Sequence, residues 1–411
     1  MSTLYKYLLG IQGSLLLANG AYMLLFPSEI AAPPSPMAST PISVIHAMST
    51  STISLGLTYL VAAYQSNRTY IVMGVPGRFL AATLFWYHGG SWRNVACYEA
   101  VWGAINFKFD VSAVTYKVVN GQDIKAYVLT PKNISSGSHP IVVKFHGGFF
   151  VSGNSIYPDW YPQWSLDYCL LHSAIIVTGD YRLLPEATGT EIYEDVSDLW
   201  DWIRNNLQQY LDSSRSGVKA DLDKVLLQGE SAGGAISIVS ALSQPPGFIK
   251  AVISTYPFIN LSPKRTKPIF GAPVLPKSVL QDHLDSIQPE KIITEATPPD
   301  RINIAIAIAQ QDLFPKYYGN DERHDAWKLL EKADDIPYTF IFHGSEDSAV
   351  PVDGSIEWVA AANNILGRGK VNLHIEQGAE HGFDSETPLE APWLQEGLKE
   401  VTKNWLGTGA H

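Results

Sequence analysis

A chain of 411 residues, 46% of them hydrophobic and with a formal net charge of −11, has room for one large domain and a smaller one. The acidic balance argues against a polyanionic partner such as nucleic acid. Cysteine occurs only at Cys97 and Cys169, so neither a disulfide framework nor a cysteine-rich metal centre supports the fold.

Residues 1–107 differ in texture from the rest. Lys6, Glu29, Arg68, Arg78, Arg93 and Glu99 are the only charged side chains before Lys108. Four apolar stretches, about 4–26, 42–64, 70–87 and 92–107, are set off by the turn Pro33-Pro34-Ser35-Pro36 and by short polar links. The first two exceed the ~20 residues that cross a ~30 Å hydrocarbon core. Gly10, Gly13, Gly20, Ser49 and Gly56 suit close helix approach in lipid, and Tyr and Trp crowd the ends. Residues 1–107 are therefore expected to form an apolar helical, membrane-embedded region; the alternative is a water-soluble helical cap. If all four segments cross, Lys6, Arg68 and Lys108 share one side against Arg93, which places the domain that follows in the cytosol. Arg78, His88 and His46 are ionisable groups in or beside these segments and mark a candidate polar site there.

From residue 111 the pattern changes. Val114, Tyr116 and Val118 alternate up to the turn Asn120-Gly121, and a second run follows at 124–129, which predicts an antiparallel hairpin. The strand 141–145 ends in His146-Gly147-Gly148-Phe149-Phe150, the place for a loop whose N–H groups face an oxyanion. The strand 174–178 runs into Asp180-Tyr181-Arg182-Leu183-Leu184-Pro185-Glu186. Ile192, Val196, Leu199, Trp200, Ile203, Leu207 and Leu211 then recur at helical spacing, with Thr190 available as cap. Strands alternating with helices imply a mostly parallel sheet covered on both faces.

The run 225–228 leads into Gly229-Glu230-Ser231-Ala232-Gly233-Gly234, which opens an apolar helix. In that strand–turn–helix context the glycines allow a sharp turn that lifts the Ser231 hydroxyl above the sheet, with the helix N-terminus beneath it. About eighty residues separate the strand 251–255 from the strand 338–342, and a lid-like insertion at about 258–335 is expected there. The last pieces are His343-Gly344-Ser345-Glu346-Asp347 and, after the strand 371–376, Glu380-His381-Gly382-Phe383. Nucleophile, acid and histidine thus follow in the order that strand-borne triads on such sheets use. Glu346 adjoins Asp347 as an alternative acid.

Together these motifs resemble the hormone-sensitive-lipase-like branch of the α/β-hydrolases over residues 111–411. The resemblance implies an α/β-hydrolase catalytic domain and a carboxylic ester hydrolase with Ser231 as nucleophile, His381 as base and Asp347 as its orienting acid. The N–H groups of Gly148, Phe149 and Ala232, with Gly147 shaping the loop, would form the oxyanion hole. Neither metal nor organic cofactor is required. The chain departs from the family pattern at Phe149, where a third glycine is usual, and at Glu230, where another acid is usual; Phe149 should narrow the acyl pocket. His146 and His343 are expected to be structural, Asp180, Tyr181 and Arg182 to form a buried knot, and His283, His324 and His411 to be solvated. A lipophilic ester drawn from the bilayer is the expected small-molecule partner. The competing readings are an acyltransferase, or a cyclase or isomerase, using the same triad, and a non-enzymatic membrane or binding protein.

Overall fold

A computed structural model describes residues 2–32, 35, 37–38, 40–64, 87 and 108–407. They divide into two compact units, one ending at Ser112 and the other beginning at Ala113.

In the first unit, helices Ser2–Leu25 and Ile42–Tyr64 correspond to the first two apolar stretches. Glycines set their separation. A Cβ on Gly13 would lie 2.8 Å from the Gly56 carbonyl oxygen, and one on Gly56 2.9 Å from that of Gly13. Backbones this close are what small residues on facing helices permit. Leu15, Leu24, Leu25, Leu57 and Val61 point outward and are exposed. Ile42–Val61 is long and apolar enough to cross a membrane, whereas the apolar part of the first helix, Gly13–Leu25, is shorter. Apart from Tyr87, the expected third and fourth segments, with Arg68, Arg78, His88 and Arg93, lie outside the described residues, as does His411.

The second unit is built on an eight-stranded sheet: β1 Phe109–Val119, β2 Gln122–Pro131, β3 Gly137–Phe145, β4 Ile175–Gly179, β5 Val218–Glu230, β6 Ile249–Thr255, β7 Tyr338–Gly344 and β8 Val371–Glu376. The spatial order is β1-β2-β4-β3-β5-β6-β7-β8. β2 runs antiparallel to β4, and β3 through β8 are parallel. Asn120 and Gly121 join β1 to β2 with φ of 49° and 72°, the left-handed pair that a two-residue hairpin turn requires. Alternate strand residues feed opposite faces. On β7, Ile341 joins the core cluster that holds Trp200, Ile236 and Trp358, while Phe342 meets Trp164 and Trp393 on the other side.

Two local expectations are corrected. The helix after β4, Gly189–Asn205, is capped by Thr188 and not by Thr190. Thr188 has extended backbone and forms a reciprocal box with Glu191, whereas the Thr190 hydroxyl donates to Asp321 at 3.2 Å. The apolar periodicity through Leu211 is also shared by two helices, because the chain leaves helical geometry at Asn206 and restarts as Leu207–Ser214. The insertion carries helices Lys277–Ser286, Ile302–Gln310, Phe314–Tyr318 and Ala326–Glu331. Because β3 through β8 point the same way, the segments following them gather along one edge of the sheet, where ligands bind in open α/β folds.

Candidate active site

Ser231 stands between β5 and the helix Ala232–Ser243 with φ 56° and ψ −116°. Its N–H donates to the Thr255 carbonyl at 2.9 Å, and its own carbonyl accepts from Phe258 N–H at 2.9 Å and Ala235 N–H at 3.1 Å. The turn closes because its glycines are bare: a Cβ on Gly229 would lie 2.2 Å from the Gly233 carbonyl oxygen, and one on Gly233 2.1 Å from that of Phe145. The Ser231 side-chain oxygen is buried and makes no hydrogen bond to His381 or to any other group.

His381 and Asp347, on the segments after β8 and β7, are brought together, with Nδ1 2.7 Å from Oδ2. The other carboxylate oxygen of Asp347 accepts the N–H groups of Ala349 at 2.9 Å and Val350 at 2.7 Å. Burial acts to raise the Asp347 pKa, but the adjacent His381 and the hydrogen bonds of His343 and His381 outweigh it and hold the group below the usual carboxylate range. An ionised carboxylate here fixes the proton on Nδ1 and leaves Nε2 of the imidazole as the basic atom. Glu346, the alternative acid, is half exposed and paired with Lys267.

The loop after β3 is more constrained than its sequence suggests. Gly148, Phe149 and Phe150 all have positive φ, at 92°, 59° and 61°. For aromatic residues this is an uncommon conformation that surrounding structure must enforce. A Cβ on Gly148 would lie 2.0 Å from the Ser152 carbonyl oxygen. Gly147 N–H donates to Glu230 Oε1 at 3.1 Å, a contact through which this residue shapes the loop. The N–H groups of Gly148 and Phe149 are not used by the loop's own hydrogen bonds, and that of Ala232, in the first turn of a helix, has no intrahelical acceptor. Phe149 itself is buried against Phe258 and Phe314, with ring centroids 5.3 Å and 5.9 Å away.

His146 is structural, as expected: it stacks on Tyr181 at 4.2 Å, and burial lowers its pKa to about 3. His343 Nε2 donates to the Val350 carbonyl at 2.8 Å and lies 3.2 Å from Asp347, and its Nδ1 is hydrogen-bonded to Ser355 Oγ at 2.8 Å. Asp180, Tyr181 and Arg182 do form a buried knot, with Arg182 held by Asp195, Glu191 and Glu194. His283 and His324 are not solvated: His283 reaches Glu186 at 3.0 Å, and His324 stacks on Tyr193 at 4.5 Å. Both are drawn in because the insertion folds back onto the core.

Several residues around the site are missed by motif reasoning. Lys144, buried on β3, pairs with Glu230 Oε2 at 2.5 Å and so fixes the carboxylate that holds Gly147. A lone charge inside the apolar run 141–145 was the available signal. Glu380 accepts the N–H groups of Ser348 at 2.6 Å and His381 at 2.8 Å, which ties the histidine segment to the acid segment. Tyr256 lies 4.2 Å from the His381 ring and donates to Asp384 at 2.8 Å, while Asp384 also accepts from Trp164 Nε1 at 3.1 Å. Among the described residues no group of three or more His, Cys, Asp or Glu side chains could hold a metal ion.

Residues 142–314 match the model of the α/β hydrolase fold family. A probable carboxylesterase of Phoma sp. is 31% identical over 71% of this chain and 94% of its own length. A probable carboxylesterase of Cochliobolus lunatus is 32% identical over 46% of this chain and 92% of its own. Among solved structures, Thermogutta terrifontis esterase 2 aligns with a TM-score of 0.48 at 18% identity, covering 73% of this chain and 95% of that one. The chain belongs to the α/β hydrolase fold family, in its hormone-sensitive-lipase-like group.

Proposed function

We propose that the chain is a carboxylic ester hydrolase that works through an acyl-enzyme on Ser231. The observation that carries this reading is the 2.7 Å contact between His381 Nδ1 and Asp347 on the same sheet edge as the Ser231 turn. The carboxylesterase names of the Phoma and Cochliobolus relatives support the reaction class. His381 Nε2 takes the Ser231 proton as the hydroxyl attacks the ester carbonyl, and Asp347 stabilises the imidazolium that forms. The N–H groups of Gly148, Phe149 and Ala232 stabilise the developing oxyanion, each contributing about 3 kcal/mol. Collapse of the tetrahedral intermediate releases the alcohol, protonated by His381. Water then repeats the sequence in reverse and frees the acid.

The substrate is a lipophilic ester, and residues 1–107 hold the enzyme in a membrane with the hydrolase unit on the cytosolic side. Support comes from the glycine-spaced helix pair, its outward Leu and Val side chains, and the distribution of Lys6, Arg68 and Lys108 against Arg93. A second reading, acyl transfer or cyclisation by the same triad, is favoured by the burial of the Ser231 side-chain oxygen, which limits access of water.

The test is p-nitrophenyl ester hydrolysis by detergent-solubilised protein beside Ser231→Ala. Hydrolysis lost in the variant, by about 10⁴-fold or more, is the expected outcome. Labelling of Ser231 by a fluorophosphonate without hydrolysis of any ester would favour the transferase; absence of both would overturn the triad.

A further inference from the structure

The loop that carries the Gly148 and Phe149 N–H groups is held at both ends. At the near end Gly147 N–H donates to Glu230. At the far end Leu184 N–H donates to the Phe150 carbonyl at 2.7 Å, and Arg301, 150 positions further along the chain, donates from Nε to the Val151 carbonyl at 2.8 Å. The rest of the same guanidinium closes a circuit. Its Nη2 donates to the Leu184 carbonyl at 2.7 Å, and Nη1 and Nη2 clasp the Glu186 carboxylate at 2.8 Å and 2.5 Å. One side chain thus joins the loop after β3, the segment after β4 and the insertion, and it does so largely out of water, with the Arg301 and Glu186 side chains only 12% and 8% exposed.

The segment that delivers Arg301 is itself stitched to the loop. Gly153 and Ala296 exchange N–H bonds to each other's carbonyls at 2.7 Å and 2.8 Å, and the buried Ser152 Oγ donates to the Asp300 carbonyl at 2.7 Å. Arg301 ends this run with its own backbone at φ 66°, immediately before the helix Ile302–Gln310. Non-glycine residues seldom take that conformation.

Local bonds do not account for the shape of the loop. The N–H groups of Val151 and Ser152 both reach the Gly148 carbonyl at 2.9 Å, which closes the turn at Gly148. Phe149 and Phe150 remain at φ 59° and 61°, a strained pair that persists only where the surroundings over-determine it. Relaxing either towards negative φ would swing the peptide planes beside it. The carbonyls at that end of the loop are the ones that Leu184 and Arg301 hold.

We infer that Arg301 is a positioning residue for the oxyanion hole: it touches no reacting atom, but it holds the left-handed loop in the conformation that presents the Gly148 and Phe149 N–H groups to the ester carbonyl. The inference rests on the acyl-enzyme reading of Ser231. Arginine suits the task because its planar fork has five donors and engages two carbonyls and both carboxylate oxygens at once, which the single ammonium of lysine cannot span.

The experiment uses the full-length protein in detergent beside Arg301→Met and Arg301→Lys. Exhaustive fluorophosphonate labelling counts the intact Ser231 sites, so kcat is expressed per labelled site and any misfolded fraction drops out. The second readout is the affinity of an alkyl trifluoromethyl ketone. Ser231 Oγ bonds to its carbonyl carbon, the hydroxyl proton passes to His381 and the carbonyl π pair becomes an alkoxide, so binding reports the oxyanion hole with no leaving group involved. In both variants kcat per site and ketone affinity should fall together, by about tenfold to a hundredfold, while KM for a p-nitrophenyl ester stays within about twofold of wild type. Arg301→Lys keeps a cation opposite Glu186 and decides the matter if Arg301→Met fails to fold. A lower melting temperature with kcat per site and ketone affinity both within about twofold of wild type would make Arg301 a structural clasp alone and overturn the inference. If the wild type is labelled but turns over no ester, the ketone affinities decide in the same way. A wild type that neither labels nor hydrolyses any ester overturns the acyl-enzyme reading instead, and the inference falls with it.

Discussion

Lys144 and Glu230 form a buried ion pair whose side chains are 3% and 11% exposed. Such pairs return little net stability, yet losing one partner leaves the other charge buried and uncompensated. Glu230→Gln and Lys144→Met are therefore each expected to destabilise the hydrolase unit by about 3–5 kcal/mol, and the double variant by less than either alone. Urea denaturation of the three variants checks this; additive losses would mean that the pair is not coupled. Glu230 was visible in the sequence as a departure from the family pattern. Its role was not, because the partner lies 86 positions away on a different strand. The same limit hid Glu380, Tyr256 and Asp384, whose functions exist only through contacts made across loops. His324 shows the error in the other direction: with no partner at ligand spacing it reads as solvated, and only the folded insertion brings Tyr193 against it.

At the scale of elements, the parallel strands, the hairpin and the strand–turn–helix around Ser231 were legible because each leaves a local signature in period or glycine spacing. Helix boundaries were less so. Thr188 and Thr190 are both able to cap, and the choice was made by the extended backbone at Thr188 and by the pull of Asp321 on Thr190. The glycines of the turn at Ser231 carry a sharper expectation. At Gly233 a methyl group would meet the Phe145 carbonyl, which belongs to a core strand and cannot retreat. Gly233→Ala should cost about 3 kcal/mol of stability and reduce fluorophosphonate labelling, measured by thermal unfolding and gel fluorescence. Unchanged values in both would mean that the turn relaxes more freely than its packing implies.

For the whole molecule, the sequence separates an apolar N-terminal region from a hydrolase, and the described residues fall into two units divided near Ser112. Composition revealed that contrast because charged side chains are sparse before Lys108 and frequent after it. It does not by itself decide between a bilayer and a soluble cap, since a buried core helix has the same hydropathy as a membrane span. The full chain expressed in cells is expected to stay with the membrane fraction after alkaline carbonate washing. Release into the wash would favour the soluble cap and remove the reason to expect a lipophilic substrate.

The backbone at Ser231 has a consequence for how this protein can evolve. The residue sits at positive φ while its peptide groups are stitched to Thr255 and Phe258, so the conformation is imposed by its neighbours and resisted by its own side chain. Ser231→Gly should abolish turnover yet raise the melting temperature by several degrees, through relief of about 1–2 kcal/mol of strain. Selection for durability alone would discard the hydroxyl. Its retention under that pressure would be a record of use, and inactive descendants of this lineage are expected to lose the serine early and keep the fold.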